Sequence, residues 1–151
     1  MAQPNRETVR DQLATLLTAQ LVTTDKTVKA VYNYRIGDFQ GLSPVVVVSS
    51  GGSNREQISA MPQPGVRNAV FLLTVHVFVR YAATSWTEAQ AEDRLDLIEK
   101  TIVDVLDANP RVTNVWQAID YQADSVRDDV VIGGKDYIRE TIQLGVAGLY
   151  G

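Results

Sequence analysis

One histidine, no cysteine and eighteen carboxylates set the chemistry that this 151-residue chain can attempt. A Ser-His-Asp relay needs an imidazole as base, so it must use His76, which sits between the bulky apolar residues Val75 and Val77 in an alternating run. The set that could serve a small hydrolytic or ligand-binding site is Ser53, His76 and Asp129, with residues 51–67 as a lid. The bland reading of His76 is a structural or interface histidine. Gly51-Gly52-Ser53 follows a valine run, but it lacks the Gly-Lys-Ser/Thr of a phosphate-cradling loop and has no helix signal directly behind it. Gly133-Gly134-Lys135 reads as turn geometry. Asp124, Asp128 and Asp129 lack the alternating ligands and central glycine of a calcium loop and read as a solvated acidic turn. The absence of cysteine removes disulfides, thiolate catalysis and Cys-based zinc sites together. No catalytic residue, metal ligand or cofactor site is therefore expected.

Fourteen basic against eighteen acidic side chains give a net charge of −4 and a pI near 4.9. That balance argues against broad binding to a phosphate backbone, which takes clustered Lys and Arg. Met1 to Arg6 carries no apolar signal core, and no apolar run approaches the roughly 20 residues that span a bilayer. Neither nucleic acid nor membrane is an expected partner. The length suits one domain with its own hydrophobic core.

Two helices and about four to five strands can be read from the periodicities. Asn5 is positioned to cap a helix over about 6–21, in which Val9, Leu13, Leu16, Leu17 and Leu21 share a stripe. Val28 to Ile36 alternates as a half-buried strand, and Val45 to Val48, after Pro44, reads as a second; the two are expected to form a hairpin. The long run Ala69 to Tyr81 places Phe71, Leu73, Val75, Val77, Val79 and Tyr81 on one face, which must be core. Ser85 and Glu88 have capping-box spacing before a helix at about 86–108, closed by Asn109-Pro110. The outer face of that helix carries Glu88, Glu92, Asp93, Asp96, Glu99, Asp104 and Asp107 against Arg94 and Lys100, with Asp96 and Lys100 at i,i+4 spacing. Trp86 and Trp116 read as packing residues that could also anchor a partner. Residues from about 115–123 and 137–146 close the chain as a second hairpin. The fold class is α+β, an antiparallel sheet with both helices on one face, in the order α-β-β-β-α-β-β.

Two features remain after that assignment. The second face of the long strand, with Val70, Leu72, Thr74, His76, Phe78 and Arg80, is too apolar for a solvated surface and calls for a cover such as another subunit. Residues 51–67 are long for a connection, since about 4–6 residues is usual. Together they nominate an interface containing Arg55, Ile58, Met61, Val66, Arg67, Leu72, His76 and Phe78, with the two arginines as polar anchors.

The order of elements resembles the tail-terminator, or tail-completion, proteins of long-tailed bacteriophages. The resemblance rests on the opening amphipathic helix, on Val28-Lys29-Ala30-Val31-Tyr32-Asn33-Tyr34 and the valine strand, and on Phe71 to Val79 leading through Thr84-Ser85-Trp86 into the helix Ala89 to Leu106. Trp116 to Tyr121 and Tyr137 to Leu144 complete it. It covers nearly the whole chain by pattern, without a fingerprint that assigns a role to any residue. The resemblance implies self-association into a ring, a homohexamer, on the head-proximal end of the tail tube. Its partners would be the tail tube protein and the head-completion or connector protein, in a virion assembled in the host cytoplasm. Another neck or tail component, such as a head-closure or tube-like protein, fits the same pattern. On the sequence alone, Phe78→Asp is expected to abolish the ring while leaving a folded monomer, as read by native mass spectrometry.

Overall fold

The computed structural model describes residues 5–57, 67–81, 87–122 and 124–150. Helix α1 spans Arg6–Leu17, and the Asn5 side chain accepts the Glu7 N–H at 2.7 Å as its cap. The helical path then widens into a π-helix over Thr18–Thr24, three residues past the expected end. The spacing explains the widening. Val9, Leu13, Leu17 and Leu21 recur every four residues, a repeat that drifts by about 40° per step in an ideal α-helix. The wider turns hold Leu21 on the same stripe, fully buried with the other three.

Six strands follow the order β1 Ala30–Tyr32, β2 Val45–Gln57, β3 Arg67–Arg80, β4 Ala118–Tyr121, β5 Val126–Ile132 and β6 Lys135–Tyr150, with α2, Glu88–Ala108, between β3 and β4. Across the sheet the strands lie β1-β2-β3-β6-β4, and β5 also pairs with β6. β3 and β6 run antiparallel in unbroken register from Arg67↔Tyr150 to Arg80↔Tyr137. The other edge of β6 is shared, its first half by β5 and its second by β4.

Phe71, Leu73, Val75, Val77 and Val79 form one buried cluster with the stripes of both helices, Val9, Leu13, Leu17 and Leu21 from α1 and Ala91, Leu95, Ile98 and Ile102 from α2. Both helices therefore lie on the same side of the sheet, as the sequence predicts. Removing each such side chain from water contributes roughly 1.5–3 kcal/mol, which makes this cluster the main source of stability.

Four expectations need correction. β1 is short and pairs with β2 in parallel, Ala30↔Val45 to Tyr32↔Val47, so the sheet is mixed and the first two strands are not a hairpin. A parallel pair needs a crossover of about a dozen residues, and here residues 33–44 provide it. The connection expected at 51–67 is mostly strand, because β2 continues to Gln57 through a register shift between Ser50 and Ser53 and β3 begins at Arg67. Gly51 and Gly52, which read as a strand end, supply that bulge. The polar segment before residue 137 contains β5, joined to β6 by Gly133 (φ +58°) and Gly134 (φ +75°), the left-handed pair that a two-residue hairpin turn requires. Helix α2 is capped by Thr87, not Ser85: Thr87 and Gln90 form the reciprocal box, while Ser85 lies outside the described residues. Asn109 stops that helix at φ −126°, outside the left-handed region, with its amide Nδ2 donating to the Val105 carbonyl.

The crossover 33–44 runs over the sheet face opposite the helices and seats Phe39 there. Phe39 lies 4.8 Å from Phe78 and 5.5 Å from Tyr137 between ring centroids, and Val45 and Val47 complete a second, smaller buried cluster. Phe39→Ala is expected to cost about 3–5 kcal/mol in chemical denaturation, the range for a buried phenylalanine. A loss under about 1 kcal/mol would mean that the crossover does not hold this cluster together.

Candidate assembly surface

β3 presents its even-numbered residues to the side away from the helices, and its ladder partners on β6 share that side. The crossover divides this face into two halves. The half at Phe78 and Tyr137 is covered by Phe39, with the Tyr137 hydroxyl donating to the Leu42 carbonyl at 3.1 Å. The other half is built on small residues. Leu72 is paired with Gly145 and stands beside Gly51, where even a Cβ would come within 3.3 Å of the Leu72 Cβ. Leu72 is consequently 52% exposed, a leucine projecting from a floor of glycine. Thr74 and Val70 flank it, half-buried.

His76 sits on the boundary between the halves. Its Nδ1 shares a hydrogen bond with the Thr141 hydroxyl at 3.0 Å, and burial, followed by the nearby charges of Arg139 and Arg35, pushes its pKa below the usual histidine value. The ring is neutral at pH 7. Beside it, the Arg139 guanidinium donates from Nε and Nη2 to the two Asp128 carboxylate oxygens at 3.0 and 2.5 Å. That fork holds the Asp128 carboxyl below its ordinary range.

The nominated interface residues fall into four groups. Leu72 and His76 lie on the open half and at its border. Phe78 does not: at 6% exposure it belongs to the cluster under Phe39, so aspartate there would bury an unpaired charge and is expected to destabilise the monomer itself. Arg55 and Arg67 lie in β2 and β3, opposite Ala69 and Gln57, while Ile58, Met61 and Val66 lie outside the described residues. The cover expected from another subunit is thus supplied in part by the chain's own Phe39. A lone phenylalanine in the polar stretch Gly37-Asp38-Phe39-Gln40 was its only signal in the sequence.

The hydrolytic set is not brought together. Ser53 is opposite Phe71 and Asp129 opposite Ile138, on the helix side of the sheet, whereas His76 faces the other way. Asp128, expected in a solvated acidic turn, is a strand residue committed to Arg139. Among the described residues no group of three or more His, Asp or Glu side chains could hold a metal ion. Trp116 is buried and donates its Nε1–H to the Asn109 carbonyl at 3.1 Å, a packing role; Trp86 lies outside the described residues. Lys100 pairs with Asp104 at 2.8 Å, not with Asp96, and both groups are exposed.

No protein-family model matches the chain, and no curated protein matches it. Among solved structures, a chain in the virion of a native gene transfer agent particle is similar in fold, with a TM-score of 0.51 over 95% of each chain at 16% identity.

On the helix side, Glu140 is the one buried charged residue among those described, 4% exposed. Ser125 donates to its Oε2 at 3.3 Å, and Arg127 Nε lies 3.7 Å from its Oε1 while reaching Glu92 of α2 at 3.1 Å. Burial pushes the Glu140 carboxyl above the usual range and Glu99 adds to it, while Ser125 and Arg127 pull the other way. A native pKa above the unfolded value means that the fold favours the protonated form. Its stabilisation is present below the unfolded pKa and is lost as pH rises through the native one. Glu140→Gln is therefore expected to raise the melting temperature at pH 8, with the gain shrinking as pH falls toward about 4.3, the ordinary glutamate value. A lower melting temperature at pH 8 would show that the Arg127 pair outweighs the burial.

Proposed function

We propose that this chain is a structural virion protein that caps the head-proximal end of a phage-type tail tube, ends tube polymerisation and presents a docking surface to the neck connector. The observation that carries the reading is the near full-length likeness in fold to a chain of a gene transfer agent virion, a particle of assembled structural proteins. The open half-face around Leu72 agrees with it. A protein that works by contact needs surface its own core does not use, and here an exposed leucine on a glycine floor, flanked by Val70 and Thr74, lies across the sheet from the packed core.

Capping follows from surface asymmetry in a ring. One ring face reproduces the contacts that a tube subunit offers its neighbour; the opposite face withholds them and binds the connector instead. A heterologous contact that closes by rotation yields such a ring, and six copies suit a six-fold tube. The work is structural, and the protein resides in the virion at the tail and neck after assembly in the host cytoplasm. Its partners are further copies of itself, the tail tube protein and the head-completion protein.

The test is addition of purified protein to polymerising tail tube subunits of the same particle. Shorter tubes, with labelled protein at one end only, are the expected result. Incorporation along the tube walls would identify a tube subunit instead. Leu72→Asp is expected to leave the stability within about 0.5 kcal/mol of wild type in chemical denaturation, since it changes an exposed side chain. It should also abolish end binding; unchanged end binding would remove the open half-face from the contact.

A further inference from the structure

The sheet ends in two free edges, and their backbone directions can be read from the ladder. The Gly133-Gly134 turn closes on the pair Ile132↔Lys135, which in a two-residue hairpin of this type exchanges both backbone hydrogen bonds. Bonded pairs then alternate at Val130↔Tyr137, Asp128↔Arg139 and Val126↔Thr141. Arg127, Asp129 and Val131 consequently turn their N–H and C=O groups away from β6, to the outer side of β5. The same alternation carries across the sheet, as the bond from Tyr81 N–H to the Asp136 carbonyl requires. On β2 it turns Ser50 outward and, past the bulge, Ser53, Arg55 and Gln57.

β1 covers β2 only over Val45–Val47, and among the described residues no strand lies outside Ser50–Gln57 or outside β5. Natural sheets blunt such edges or use them. Here each edge carries a complementary device. Arg6 and Arg10 of α1 reach the β2 edge, donating to the Gly51 carbonyl at 2.6 Å and to the Ser50 hydroxyl at 2.9 Å. The β5 edge exposes Val126 and Val131, at 62% and 66%. Its flank is acidic: Asp129 stands on β5 itself, Glu92 of α2 contacts Arg127 directly, and Asp96 and Glu99 of α2 act on Glu140, the ladder partner of Arg127.

We infer that the outer edge of β5, Arg127–Val131, pairs antiparallel with the outer edge of β2, Ser50–Gln57, of a second copy of this chain, joining copies head to tail. The inference rests on the ring reading above and names the contact that would close it. Strand direction agrees. β2, β3, β6 and β5 alternate in sense, so β5 of one copy meets β2 of a neighbour antiparallel when both stand the same way up. Charge selects the pairing as well: β5 against β5 would press two acidic flanks together, while β5 against β2 brings the acidic flank to Arg6 and Arg10. Two unlike edges make a heterologous contact, the kind that builds rings.

The chain has no cysteine, so single-cysteine variants report the contact cleanly. Ser53 and Asp129 are exposed and lie on the same side of the sheet. Under mild oxidation an equal mixture of Ser53→Cys and Asp129→Cys is expected to give the mixed disulfide dimer, with little or no dimer from either variant alone. Asp129→Pro is a second probe. Its N–H points outward, so proline removes no bond within the chain, and the melting curve should stay close to wild type while the oligomer is lost in native mass spectrometry. Wild-type rings without the mixed disulfide, and with rings surviving Asp129→Pro, would overturn the edge contact and leave the ring reading standing. A dimer from Asp129→Cys alone would overturn the head-to-tail arrangement in favour of a two-fold one. No oligomer from the wild type under any condition, the tube end included, would overturn both.

Discussion

Pairing of β3 with β6 along all fourteen residues of β3 is the constraint on which the rest of the molecule depends. An unbroken antiparallel register fixes which residues of both strands face the helices and which face away, because a slip of one residue would exchange the two sets. With that register set, Phe71 to Val79 receive α1 and α2, and the even-numbered residues are left to the other side. β6 then aligns β5 and β4 end to end on its free edge, and β3 aligns β2.

The parallel placement of β1 has a consequence for surface as much as for topology. Because β1 and β2 point the same way, the chain between them must cross a sheet face, and Phe39 turns that crossing into a packed cluster with Phe78 and Tyr137. The crossing is long enough to cover half the face and no more. What remains holds the exposed Leu72 over Gly145 and Gly51, with Thr74 and Gln143 beside it, and it adjoins a β2 edge that β1 is too short to cover. The extent of the uncovered face and edge thus follows from the length of one strand and one connection.

Helices and the central strand were legible in the sequence because their periods repeat long enough to be decisive: the four-residue leucine spacing of α1, the stripe from Ala91 to Leu106, and the alternation from Phe71 to Val79. The open half of the second face was legible too, through Leu72 and His76. What escaped had a physical reason in each case. β5 hides because it is an edge strand whose alternation, Val126, Asp128, Val130 and Ile132, is interrupted by charge that serves the Arg139 fork. The extension of β2 hides behind Gly51 and Gly52, which make a bulge as readily as a turn. The burial of Phe78 depends on Phe39, thirty-nine positions away, and no local pattern reports a contact at that separation.

An account in which the work is done by surfaces stands or falls on self-association. Native mass spectrometry of the wild-type chain across a concentration series, with negative-stain images of the same samples, tests it most directly. The expected result is one closed ring, of six copies, whose stoichiometry stays fixed as concentration rises. Filaments that lengthen with concentration, or a chain that remains monomeric throughout and on tail-tube ends added to the same samples, would contradict it.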